Sequence, residues 1–319
     1  MTILRINWRN DIRMIEIKVL QAHQGDCIWV RCISEKTVNI VIDAGTSTFK
    51  KGFRNLVKEI NNKKERIDLL VFSHIDDDHI KGCIQYLQEK GKKIIDKVWI
   101  NGSGSRVYSD MQEHSVNNVS NLVTLIMEKN IPIETPILEG KEYVFCGGRI
   151  KVIGPTKNEM LKVATKIEHS NQVTEHAGYK YVGNIIDVQD KYQPDLSDSN
   201  KASIIMVVEF ENKKLLFTGD STSENIIKAV DKYYPGDEFE VVKLPHHGSP
   251  RNISRELIRR LSTNKFIIST NKALEKVVLF RFAEERKTTE LLCNYEWWAT
   301  GYFTEDDIKK YFDTNRIVM

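Results

Sequence analysis

Within the six residues His74-Ile75-Asp76-Asp77-Asp78-His79 the chain places two histidines and three aspartates. Carboxylates at this density repel one another unless a cation or solvent intervenes. The cluster follows the apolar run 67–72 and precedes Ile80-Lys81-Gly82-Cys83-Ile84, which places it at the end of a buried strand. A strand end so equipped reads as a place where ligands gather around metal. Other polar residues close apolar runs in the same way: Asp43, Asp220 and the pair His246-His247. Strand ends on one rim of a sheet are close in space, so distant residues can converge there. Taken singly, Asp43-Ala44-Gly45 and Gly219-Asp220 could be plain turns, and His246-His247-Gly248 a surface loop. Their joint occurrence, each after an apolar run, favours a shared site.

The elements that must position these residues can be read from periodicity. Residues 14–20 alternate as a strand. The turn Gln24-Gly25-Asp26 leads to a second strand over 27–32, and a third over 38–45 ends in Asp-Ala-Gly. Short strands joined by turns suggest antiparallel pairing. Residues 53–60 have helical spacing, and further helices are expected over 79–89 and 116–129. A strand over 97–101 and a loop at 102–105 lie between those two. The second half repeats the theme. A hairpin turns through Gly147-Gly148, residues 160–169 are weakly helical, and 178–200 read as a long polar loop. Strands over 203–210 and 214–220 follow, then a helix over 223–230 and a strand over 240–244. A helix over 254–261 and a strand over 266–268 close the regular part. The tail from 273 reads as less regular, with a last helix over 305–312 and Trp297 and Trp298 able to pack it onto the body. The expected fold is α/β: one domain with two sheets packed together and helices outside, over 1–272, with 273–319 as an extension packed on it.

Composition limits the alternatives. The 319 residues carry 47 Lys and Arg against 44 Asp and Glu, a balance of +3 that argues for neither nucleic acid nor membrane as a general partner. The five cysteines form no CxxC pair and are odd in number, which favours free thiols in a reducing compartment. The first residues lack the apolar core of a signal peptide, and no run approaches the roughly 18 apolar residues of a membrane span. The expectation is a cytoplasmic protein.

The motifs together resemble the metallo-β-lactamase fold. His74-Ile-Asp76-Asp-Asp78-His79, with Gly82 three residues on, is similar to that family's HxHxDH motif, with Asp76 in the second His position. Asp43-Ala44-Gly45, Thr218-Gly219-Asp220 and Pro245-His246-His247-Gly248-Ser249 match its other motifs. The HxDxDH form, with Gln24-Gly25-Asp26, is most similar to the hydrolase domain of the competence-protein ComEC type, over residues 14–270. The resemblance implies an αββα sandwich with two divalent metal ions at one edge. His74 and Asp76 would hold one ion, Asp78, His79 and His247 the other, and Asp220 would bridge them. Asp78, Asp220 and His246 would act in catalysis, His246 as an outer partner or proton donor. Asp43 would orient ligands by hydrogen bonds. One position departs from the family, which usually supplies a further His before the Thr-Gly-Asp strand. Here Asn200-Lys201-Ala202-Ser203 stand there, so Asn200 and Ser203 are expected beside the ligands, and the His74–Asp76 side is ligand-poor. His169 and His176 lie upstream, in the irregular region.

An aspartate-rich site is harder than a His-rich zinc site, which makes Mn or Mg plausible beside Zn. Two ions roughly 3.5–4 Å apart can share a hydroxide and clamp attacking and leaving oxygens. Arg251 and Arg255 follow the last His motif, and guanidinium groups suit phosphate; a solvated basic helix paired with Glu256 is the plainer account. Three readings follow. The first is a nuclease or phosphodiesterase acting on DNA, with nucleic acid as substrate and a partner protein in a defence system as a possible context. The second is a small-molecule hydrolase of the lactonase, thioesterase or β-lactamase kind. The third is a non-catalytic binding protein.

Overall fold

The computed structural model describes residues 2–7, 13–91, 93–101, 113–165, 183–299 and 301–319, with backbone alone at 113–117 and 162–165. The loop at 102–105 and both His169 and His176 lie outside the described residues.

Each half of the chain builds one sheet, with its strands in sequence order. The first sheet begins with β1 (Thr2–Asn7), β2 (Met14–Val19), β3 (Ile28–Ile33) and β4 (Val38–Ile42), all antiparallel. It continues in parallel through β5 (Leu69–Phe72), β6 (Val98–Ile100) and β7 (Ile133–Glu134). The crossovers are α1 (Lys50–Asn62), α2 (Asp77–Gln88) and α3 (Glu113–Glu128). The second sheet repeats the plan. β8 (Glu142–Phe145), β9 (Gly148–Gly154), β10 (Ile205–Phe210) and β11 (Lys213–Phe217) are antiparallel. β12 (Val241–Lys243), β13 (Lys265–Ile268), β14 (Thr289–Cys293) and β15 (Ile317–Val318) then add in parallel. Helices α4 (Lys157–Thr165), α5 (Asp198–Lys201), α6 (Ser223–Tyr233), α7 (Arg255–Arg260), α8 (Lys276–Glu285) and α9 (Glu305–Asp307) are the remaining α-helices among the described residues, beside short 3-10 or π turns such as Pro245–Gly248.

Strand periodicity assigns the layers. Leu69 and Val71 of β5 face the second sheet, in one core with Met206, Val208 and Phe210 of β10 and Ile267 of β13. Their alternates Leu70 and Phe72 pack under the helices with Phe53, Leu56 and Ile60 of α1. In the second sheet Val207, Leu216 and Val242 do the same under Ile226 of α6 and Leu257 of α7. Buried on both faces, these strands read as unbroken apolar runs. The result is a four-layer αββα sandwich, the architecture expected from the sequence.

The tail departs from expectation. Where the sequence reads as irregular, the chain forms α8 and two further strands of the second sheet. Val278, Leu279, Phe282 and Ala283 give α8 a buried face at helical spacing. Interleaved Lys276 and Arg281, both also buried, break the apolar pattern that periodicity relies on.

One contact fixes α2 to the end of β4. The Ala44 N–H donates to the His79 carbonyl at 2.7 Å and the Gly82 N–H to the Gly45 carbonyl at 2.9 Å. A Cβ on Gly82 would lie 1.8 Å from the Ala44 carbonyl oxygen. Gly82→Ala is therefore expected to destabilise the fold by at least the ~1–3 kcal/mol typical of overpacking. Urea unfolding checks this, and an unchanged midpoint would contradict the packing.

Candidate metal centre

The parallel strands β4, β5, β11 and β12 all end on one rim, and each end carries polar residues. Antiparallel register adds more. Ile28 of β3 pairs with Ile42 of β4, so Asp26, just before β3, reaches the rim where Asp43 follows β4. Met206 of β10 pairs with Phe217 of β11, which brings Asn200 and Ser203 beside Asp220.

At the centre are His79, Asp220 and His247. His79 Nε2 lies 3.3 Å from Asp220 Oδ2, and His247 Nε2 lies 3.6 Å from the same oxygen. Asp78 flanks both rings, 3.8 Å from His79 Nε2 and 3.4 Å from His247 Nε2. Asp26, His79, Asp220 and His247 each bring a ligand atom within 4.8 Å of the others.

The tautomers follow from the outer partners. Asp43 Oδ1 accepts from the Ser73 N–H at 2.7 Å, and its Oδ2 accepts from Ser73 Oγ at 2.5 Å and His79 Nδ1 at 3.0 Å. His247 Nδ1 donates to the Ser269 carbonyl at 3.1 Å. With a proton on each Nδ1, both Nε2 lone pairs face the cluster. His247 Nε2, Asp220 Oδ1 and His74 Nδ1 are buried without a hydrogen-bond partner. Orphaned acceptors of this kind call for an explanation, and a bound ion supplies one. Charge agrees: Asp26, Asp43, Asp78 and Asp220 set four carboxylates around the buried ammonium of Lys243. The cluster could hold a divalent metal ion.

Without an ion, protons take its place. Burial would lower the His247 pKa, but Asp26 and Asp220 push it up to about 10. Burial would likewise lower His79, yet Asp220, Asp43 and Asp78 raise it well above the ordinary imidazole value. Burial would raise Asp78, but His79 and His247 hold it at about 2. Metal uptake must therefore displace protons from both rings.

The His74–Asp76 side is built differently. His74 Nε2 hydrogen-bonds Ser199 Oγ at 2.8 Å, and its Nδ1 lies 3.5 Å from Asp76 Oδ2. The His74 side chain is 3% exposed and that of Asp76 46%. The His74 ring makes an edge contact with His79, so the pair adjoins the central cluster. Asp77 turns aside to Asn118 and Lys81.

His246 and His247 both adopt left-handed backbone conformation, at φ 47° and 55°. Such conformation costs non-glycine residues of order 1–3 kcal/mol each and gathers at functional sites. His246 Nε2 stands 4.0 Å from Asp220 Oδ2. Its Nδ1 meets Asn252 Oδ1 at 3.0 Å and Asp195 Oδ2 at 3.6 Å. The Asn252 amide nitrogen donates to Asp195 at 2.9 Å, which leaves its oxygen to accept from His246. Burial would lower the His246 pKa, but Asp220 and Asp195 raise it. Asn200 donates to Asp195 at 2.6 Å, and Ser203 Oγ accepts from the Asp220 N–H at 3.3 Å.

The two arginines part company. Arg255 is engaged by other groups: its Nε is paired with Asp190 at 2.8 Å, its Nη1 is 3.6 Å from Glu285, and it lies over the Phe280 ring. A carboxylate from the polar loop, invisible to helix-face reasoning, claims it. Arg251 is different. Its carbonyl accepts from the Asp195 N–H at 3.0 Å, and its Nε is buried without a hydrogen-bond partner.

Asp195, Asn252, Ser199 and Lys243 carry no site expectation from the sequence, and Gly25-Asp26 reads equally well as a hairpin turn or as a loop that approaches the rim. Lys243 carried a usable signal, since a lysine inside the run Val241-Val242-Lys243-Leu244 is a charge in a buried strand.

A family model described as the metallo-beta-lactamase superfamily matches residues 20–98. That segment contains Asp26, Asp43 and the cluster 74–79. Among solved structures, the chain is similar to the metallo-beta-lactamase fold protein YhfI from Bacillus subtilis. The two are 8% identical, with 84% of this chain and 91% of that chain covered and a TM-score of 0.43. A diphosphatase from the PhnP family is 11% identical, over 77% of this chain and 73% of that one, at a TM-score of 0.38. A Cronobacter sakazakii metallo-beta-lactamase with a HARLDQ motif is 10% identical, over 72% and 69%, at 0.36. No curated protein matches the sequence. Among the described residues no helix is long and apolar enough to cross a membrane.

Proposed function

We propose that the chain is a metal-dependent hydrolase that cleaves phosphodiesters, DNA foremost. The observation that carries the first part is the set of buried, unpartnered acceptors on His247, Asp220 and His74, gathered where four carboxylates surround Lys243. His79, His247, Asp78 and Asp220 would hold the first ion, and His74 and Asp76 supply donors for a second. The mixed imidazole and carboxylate donors suit zinc or manganese. A divalent ion bound there supplies Lewis acidity and makes water acidic enough to attack at neutral pH.

The chain's own residues divide the remaining work. Asp78 stays ionised and can accept a proton from water beside the cluster. His246, fixed through Nδ1 by Asn252 and Asp195, can carry a proton on Nε2 and deliver it to a leaving oxygen. Preference for a phosphodiester is supported by Arg251, whose guanidinium Nε is buried without a hydrogen-bond partner, and by the resemblance of the motifs to ComEC-type domains.

Labelled single- and double-stranded DNA incubated with Mn tests the reading against an Asp78→Ala control. Wild type is expected to degrade DNA and the control to be slower by at least ~100-fold, the low end of general acid–base contributions. Equal degradation by both would remove the nuclease assignment, and lactone and nitrocefin panels would then test the small-molecule alternative.

A further inference from the structure

We infer that Asp26 and Lys243 form a buried positioning pair that sets the metal affinity of His247. The inference rests on the reading that the cluster holds a metal ion. Lys243 Nζ is paired with Asp26 Oδ2, donates to the Gly219 carbonyl at 3.2 Å and stands 3.9 Å from Asp220 Oδ1. The side chains are 2% and 1% exposed. Burying such a pair is weak evidence for stability, because well-packed apolar residues in its place are often neutral or better. Its presence therefore asks for another account, and its neighbours supply one.

Asp26 Oδ1 lies 3.4 Å from His247 Nδ1. The Ser269 carbonyl is the nearer acceptor for that N–H, at 3.1 Å, so Asp26 is not needed to satisfy it. What Asp26 adds is a full negative charge beside the protonated nitrogen. That charge strengthens Nε2, on the far side of the ring, as a donor to a cation. Lys243 holds the other carboxylate oxygen and keeps Asp26 behind the ring. By touching the Gly219 carbonyl it also ties this arrangement to the backbone that presents Asp220.

The loop carrying Asp26 is locked in place. A Cβ on Gly25 would lie 2.0 Å from the Asp78 carbonyl oxygen, so this loop packs directly on the backbone of the ligand segment. Ser269 Oγ donates to the Gly25 carbonyl at 3.3 Å. Asn294, beyond β14, donates to the Leu20 carbonyl at 2.7 Å, and the His23 N–H donates to Tyr295 Oη at 2.8 Å. The two sheets thus meet behind His247 through Asp26, Lys243, Ser269 and Asn294.

Cobalt(II) titration followed by visible absorption tests the pair in the full chain. The double variant D26N/K243M removes both charges together and keeps the volume. It is expected to fold with a melting temperature near wild type and above that of K243M, which strands Asp26 without its cation. Its cobalt affinity is expected to fall about 10–100-fold, the usual cost of losing an outer partner, with the saturated spectrum unchanged in shape. Unchanged affinity would overturn the inference and make the pair structural only. An altered saturated spectrum would also overturn it, by making Asp26 a ligand. Should the double variant not fold, D26N/K243Q gives the same readout, since it also removes both charges and lets the two amides hydrogen-bond each other. Wild type that takes up no cobalt would overturn both this inference and the metal reading beneath it.

Discussion

Asp220→Asn is expected to lose retained divalent metal and, with it, metal-dependent hydrolysis. Asp220 is where the elements of the rim meet. Its Oδ2 lies 3.3 Å from His79, 3.6 Å from His247 and 4.0 Å from His246, while its Oδ1 is buried without a hydrogen-bond partner. Three rings from two different sheets therefore converge on one carboxylate. Asparagine keeps the shape and one acceptor but removes the charge and adds a donor that would face His79 or His247. Loss of an outer partner costs about 10–100-fold in metal affinity, and a ligand at the centre should exceed that range. Near-wild-type circular dichroism would show that the loss is local. Full metal content in the variant would show that the ion, if any, sits elsewhere.

The second large effect is on stability. Asp43→Ala is expected to cost about 4 kcal/mol or more. One carboxylate satisfies the Ser73 N–H, the Ser73 hydroxyl and His79 Nδ1, all buried. Each stranded buried donor costs about 1–3 kcal/mol. Alanine at φ 59° adds about 1 kcal/mol, because aspartate tolerates left-handed backbone better. Asp43→Asn keeps an acceptor and should lose less. Denaturant unfolding reads both, and a loss under about 1 kcal/mol for alanine would mean that Asp43 is an ordinary turn residue. The two variants would separate the proposed roles: Asp220 in holding the ion, Asp43 in the frame that aims His79.

The sheets and most helices were legible because strands buried on both faces leave uninterrupted apolar runs, and α1 and α6 leave clean amphipathic ones. The tail was not, because Lys276 and Arg281 are buried within α8 by partners distant in sequence. Lys276 Nζ meets Asp307 Oδ2 at 2.8 Å, and Arg281 meets Asp190 and the Pro250 and Ile253 carbonyls. Strand β1 escaped as well, since it is an edge strand whose first residues alternate between exposed and half-buried.

The site shows the same division. Residues at the ends of parallel strands announce themselves, since each follows an apolar run, and the structure brings His79, Asp78, Asp220 and His247 together. Residues before antiparallel strands, such as Asp26 and Ser203, reach the same rim through register, which sequence spacing does not display; Ser203 is expected there from the family resemblance, and Asp26 is open between turn and rim. Asp195 and Asn252 come from loops whose course is set by contacts with Arg251 and Asp220, and no periodicity marks them. Arg255 shows the converse: it is near the site in sequence, while its partner Asp190 is 65 residues away.

We propose that the buried Asp–His cluster is a metal centre. Its most direct test is the metal content per chain by elemental analysis, after equilibration with zinc or manganese and gel filtration, for wild type beside Asp220→Asn. Wild type should retain at least one ion per chain and the variant none. A wild-type chain that emerges without either metal, or a variant that retains as much as wild type, would contradict the account.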